Sequence, residues 1–200
     1  MKKKLLSSLL VVGTSLGALA PATILATDVI GNSSADITIN GSLGLDNTKP
    51  DEEIEEGDTN WINVTLDTAT IFYNLSGTTT IASPTYNIEN NSGRPVSVSI
   101  QNFSSISGDY SDITSLNFVS PAPLQSARSL ITNGVLGTFT PATSGILFTL
   151  ANNQGNLTAN DDGSHPSSTT FSYSGSVDST TIDKANPSFT LTLQLDAVNF

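Results

Sequence analysis

The chain has 200 residues, with 18 acidic against 7 basic side chains, a formal charge of −11, one histidine and no cysteine. That balance repels nucleic acid and anionic head groups, and the absence of cysteine excludes disulfides and thiolate metal sites. Charged residues are only 12% of the chain; Ser, Thr and Asn carry most of the solvation, as suits exposed β faces outside the cell.

Lys2, Lys3 and Lys4 precede an apolar run from Leu5 to Ala20, and small residues follow at Ala22 and Ala26. Charged, apolar and small segments in that order make residues 1–26 a signal peptide, with cleavage expected after Ala26. A membrane anchor is the alternative, but the run falls short of the ~20 apolar residues a span needs. Cleavage leaves 174 residues (200 minus 26), enough for one sizeable core, with a charge of −14 from four bases and 18 acids. The mature chain is expected to be extracellular, not inserted in a membrane.

Residues 27–44 hold a first strand, in which Ile37 and Ile39 alternate with polar residues. Residues 45–60 follow as an acidic linker, expected to be mobile, with Asp46, Asp51, Glu52, Glu53, Glu55, Glu56 and Asp58 against Lys49. A calcium site is the sharper reading of that run, but carboxylates without turn geometry repel one another. Residues 61–200 form the β domain. Its first strand has Ile62, Val64 and Leu66 on one face, and Thr68–Leu75 is a second.

The stretch "SPTYNIENNSGRPVSVSIQNF", Ser83–Phe103, sets Tyr86 and Ile88 on one face, turns at Asn91–Pro95, and resumes with Val96, Val98 and Ile100. It reads as a hairpin. From Ser104 to Thr132 the period weakens, and Pro123 could start a short helical turn. "VLGTF" and "GILFTL" are strands, Ala151–Ser168 a polar loop, and "TTFSYSGSV" a strand. The last strand is the clearest: Phe189, Leu191, Leu193, Leu195 and Ala197 alternate with polar residues. Strict period two means one buried face and one wet face. The expectation is an all-β, antiparallel β-sandwich of about eight or nine strands, Ig-like or Greek-key, with a barrel as alternative.

Three pieces carry a family resemblance: "NWINVTLDTATIFY", "IASPTYNIENNSGRPVSVSIQNF" and the closing "SFTLTLQLDAV". In order and pattern the chain resembles small secreted surface proteins of Gram-positive bacteria related to the WxL-domain type. The resemblance covers about half of the mature chain. It implies a secreted β-sandwich associated with the cell surface. The WxL motifs themselves are absent: Trp61-Ile62-Asn63 has Asn where Leu belongs, and Leu193 stands where a second Trp would fall. Wall binding through that determinant is therefore not implied, and no LPxTG-type sorting signal implies covalent anchoring.

No constellation for catalysis stands out. His165 is the single histidine, in "DDGSHPSS", and reads as a turn residue. One His without Cys makes a zinc site unexpected. Laid on the EF-hand template, "TANDDG" offers Asn160, Asp162 and Gly163, but Thr158 and Thr169 occupy the first and last ligand positions. A turn using Asp-Gly is the better account. No carboxylate pair is singled out for glycoside cleavage. No catalytic residue, cofactor or metal ligand is assigned. Trp61, Tyr73 and Tyr110 are the candidate contact surface, with Tyr173 a further aromatic. Trp61 is out of phase with Ile62, Val64 and Leu66, so it either offers a contact surface or packs against the acidic linker or a second layer. The expected function is non-enzymatic binding of other cell-surface proteins or cell-wall polymer. The alternatives are a structural subunit of a pilus-like polymer using the open edge of "FTLTLQL", or a secreted wall-glycan enzyme.

Overall fold

A computed structural model describes residues 43–180 and 184–200. The expected signal peptide and cleavage site, and the strand expected at Ile37–Ile39, lie outside the described residues. Leu43–Phe200 form one compact unit.

The alternating segments become strands, after a short 3-10 turn at Thr59–Trp61. They are β1 (Val64–Leu66), β2 (Tyr73–Asn74), β3 (Thr80–Ala82), β4 (Tyr86–Asn90), β5 (Val96–Ser107), β6 (Ile113–Ser120), β7 (Ser126–Thr132), β8 (Val135–Leu136), β9 (Ile146–Leu150), β10 (Ser168–Val177) and β11 (Ser188–Ala197). All pairings are antiparallel. One sheet runs β1-β4-β10-β6-β7-β8, with β3 also on β10 and β2 beyond it; the second runs β11-β5-β9. The two form an all-β sandwich, with eleven strands among the described residues where about eight or nine were expected.

The core lies between them. Val98, Ile100, Phe148 and Leu150 of the small sheet meet Ile88, Leu116, Phe118, Ile131 and Phe171 of the large one, all buried. Each such side chain contributes about 1.5–3 kcal/mol by leaving water. Phe118 stacks on Phe171 at 5.0 Å between centroids, and Tyr86 tilts against Phe171 at 5.5 Å.

Three expectations need correction. The Ser83–Phe103 stretch is not a hairpin. β4 pairs with β1 and β10, whereas β5 pairs with β11 and β9, so Asn91–Pro95 is a corner between sheets. Alternation correctly buries Tyr86, Ile88, Val96, Val98 and Ile100, but it reports which face is buried and not which sheet the strand joins. The corner keeps its polar groups satisfied inside the protein. Asn90 Nδ2 donates to the carbonyls of Arg94 and Ala151, both at 2.8 Å, and Asn152 Nδ2 donates to Gly93 O at 3.2 Å. Gly93 has no room for a side chain: a Cβ would lie 2.6 Å from the Lys49 carbonyl carbon.

The weak region from Ser104 to Thr132 holds the end of β5 and all of β6 and β7, and the segment after Pro123 leads into strand instead of helix. Bulges hide the period there. Ser115 pairs with Ser176 and Ile113 with Val177, which leaves Thr114 as an extra residue. Likewise Leu116 pairs with Ile131 and Asn117 with Ser129, leaving Leu130 extra, so Leu130 and Ile131 are both buried in succession.

Residues 45–60 are turns packed on the corner, in contrast to the mobile linker expected. Gly93 N donates to Asn47 O at 2.7 Å, Asn153 Nδ2 to Thr48 O at 2.6 Å, and Trp61 Nε1 to Glu55 O at 3.1 Å. The anchors are mostly backbone carbonyls, which a charge count cannot register.

Candidate functional site

Two features could engage a ligand. The first is a groove of about 770 Å³ between residues 66–72 and β11, apolar at its floor and polar at Asp67, Thr68 and Thr70. Its floor is Phe103, Leu116, Leu130, Phe171 and Tyr173, and its β11 wall includes Phe189, Leu191, Leu193 and Leu195. The opposite wall is a strap pinned at both ends. Asp67 exchanges hydrogen bonds with the Asn87 backbone, its Oδ2 accepting from Asn87 N at 2.8 Å and its N–H donating to Asn87 O at 3.2 Å. The Tyr86 hydroxyl accepts from Ile71 N at 2.6 Å and donates to Ile71 O at 3.0 Å. The Thr70 and Tyr173 hydroxyls lie 3.1 Å apart, and burial pushes the Tyr173 phenol up from its ordinary value of 10.0.

β11 is an edge strand, and β5 is its one ladder partner among the described residues. Its leucines face inward as the alternation predicts. Leu193 lies opposite Ile100 and Leu195 opposite Val98. Yet Leu191, Leu193 and Leu195 are only half-buried, because the groove opens beside them. Leu193, on the strand face expected to be buried, packs against the core on one side and lines the groove on the other.

The aromatic candidates separate. Trp61 is 0% exposed and cannot present a contact surface; it is packed against the acidic segment. The Arg94 guanidinium lies 4.3 Å from its ring centroid and 4.5 Å from that of Phe200. Arg94 also holds the Glu56 carboxylate, with Nε 2.9 Å from Oε1, and donates to Pro50 O. This hydrogen-bonded pairing with Arg94 lowers the Glu56 pKa below its ordinary 4.5. Arg94 escaped notice in the sequence, although a lone Arg between a turn glycine and an apolar strand is a signal that it is held there.

Tyr73 is 46% exposed, flanked by Ile71 at 61% and Leu75 at 64%, so alternate residues around β2 form an outward apolar stripe. Tyr110 is half-buried and meets Phe189 edge-on at 5.4 Å. Phe189 in turn lies 6.1 Å from Phe72. Tyr110 thus joins the aromatic cluster around Phe189, whereas Tyr73 lies on the outward stripe and Trp61 belongs to a separate cluster with Arg94 and Phe200.

The second feature is the Ala151–Ser168 loop, where Asp161, Asp162 and His165 come together. His165 Nε2 is 3.3 Å from Asp161 Oδ1. Hydrogen bonds hold both carboxyls below the ordinary 3.8, from the Leu157 backbone to Asp161 and from Ser164 to Asp162. The His165 side chain is 42% exposed and its pairing partner is a carboxylate, Asp161, instead of the hydroxyl a nucleophile–base pair requires.

No known protein family matches the chain, and no curated protein or solved structure resembles it at a significant level.

Proposed function

We propose that this chain is a secreted, non-enzymatic binding protein of the cell surface, in the setting that its resemblance to WxL-type proteins implies. It takes up an extended segment of another surface protein along β11. The observation that supports this reading is a groove with an apolar floor beside an edge strand that has, among the described residues, no ladder partner on its outer side. An added strand would continue the β11 ladder while its alternate apolar side chains fill the groove, with Ile71 and Leu193 on either wall. Main-chain bonding supplies affinity in such an arrangement, and the groove selects side chains.

The test is a pull-down from cell-surface extract with the chain from Thr27 onward, followed by titration of the captured protein. Ile71→Glu places a charge on the groove wall at an exposed position, so the fold should survive while affinity falls at least about tenfold. Capture that ignores Ile71→Glu, or binding of purified wall polymer with no protein partner, rejects the reading. The same edge strand favours a second one, a structural subunit that polymerises through β11. A ladder of detergent-resistant polymers in the wall fraction would select it.

A further inference from the structure

We propose that the Ala151–Ser168 loop binds a divalent transition ion of the Zn²⁺ or Mn²⁺ class through Asp161, Asp162 and His165, with the Asn156 side-chain carbonyl as a fourth donor. The first three offer one ligand atom each, all within 4.8 Å of one another. Around an ion with bonds of about 2.0–2.2 Å, donors sit about 3.4 Å apart in a tetrahedral site, and about 3 Å (adjacent) or about 4.2 Å (opposite) apart in an octahedral one. The widest spacing must contract by up to about 1.4 Å to close on a tetrahedral ion, and by less on an octahedral one. His165 Nε2 and Asp161 Oδ1, at 3.3 Å, already stand at the separation of adjacent donors.

A second observation is independent of that cluster. Asn156 Oδ1 is shut off from solvent and has no hydrogen-bond partner. It lies against Gly163, 3.7 Å from where a Cβ on that residue would be, beside Asp162 in the chain. A shielded amide oxygen without a donor is unfavourable, and native proteins rarely leave one so. A cation at this end of the loop would satisfy it. The donor set also selects the metal. Two carboxylates and an amide oxygen alone would suit Ca²⁺, but an imidazole in the set favours borderline ions. The EF-hand template fails here because it needs ligands at Thr158 and Thr169, whereas this cluster closes within five residues of one turn.

Untagged, chelator-treated protein would be titrated calorimetrically with Zn²⁺, Mn²⁺ and Ca²⁺, and the Mn²⁺ signal followed by electron paramagnetic resonance. One Zn²⁺ or Mn²⁺ should bind per chain, tighter than Ca²⁺ by about tenfold or more, and should raise the melting temperature. His165→Ala and Asp162→Asn, both at solvent-accessible positions, should each weaken binding at least about tenfold. Asn156→Ala should weaken binding while leaving the metal-free melting temperature unchanged or higher, because it removes an unsatisfied group. The proposal is overturned if no saturable binding occurs below about 1 mM. Binding that survives His165→Ala, or Ca²⁺ binding as tightly as Zn²⁺, overturns it as well.

Discussion

Arg94 is the residue on which one end of the molecule converges. Its guanidinium is stacked between Trp61 and Phe200 and bonded to Glu56. Arg94→Ala should cost about 3 kcal/mol in urea denaturation, because packing, stacking and pairing vanish together. Arg94→Lys should recover little of that, since an ammonium has neither the plane nor the fork. The pairing also has a pH signature. The folded-state pKa of Glu56 lies below its ordinary 4.5. Its contribution is therefore complete above that value and is lost as pH falls through the lower, folded one. Acid denaturation of Glu56→Gln should show a shallower fall of stability below about pH 4.5 than the parent; identical profiles would mean the pairing is inert. At this scale the sequence was half legible. The phase of Trp61 against Ile62 and Val64 marked it as special, but its partner lies 33 positions away (94 minus 61), and no local pattern carries a stacking pair across a corner.

Among the elements, β11 and β7 differ in what surrounds otherwise similar leucines. Leu130 is fully buried at a bulge, and Leu193 lines the open groove. Leu130→Ala should cost about 4 kcal/mol, whereas Leu193→Ala should cost about 2, near the lower end for leucine. Thermal or denaturant unfolding of both variants checks this, and equal losses would mean that the groove is closed in solution. β11 was the easiest strand to find because ten residues alternate without interruption. β6 and β7 were not found because each carries an inserted residue, Thr114 or Leu130, that resets the parity. A period-two reading fails wherever the ladder is bulged, however strong the pairing.

For the molecule as a whole, the β class and the antiparallel sense followed from alternation and turn chemistry. The assignment of strands to sheets did not, because both faces of the sandwich obey the same rule. The acidic segment shows the other limit, since its anchors at Asn47, Thr48, Pro50 and Glu55 are carbonyls. Deleting Asp46–Asp58 should therefore lower the unfolding midpoint clearly, by about 2 kcal/mol or more, since Arg94 and Trp61 lose their partners together. An unchanged midpoint would show that the corner holds without it.

The Asn91–Pro95 corner has a kinetic consequence. Two strands that leave it as neighbours find their partners far along the chain: Ile88 pairs with Thr169, and Val98 with Leu195. Neither sheet can be assembled at the corner from local contacts, so long loops must close before native pairing is rewarded. Refolding by stopped flow should accordingly fall in the millisecond-to-second range. Leu195→Ala should then speed unfolding more than it slows refolding if β11 docks last. During that interval the Val96–Ser107 strand waits with both of its edges open.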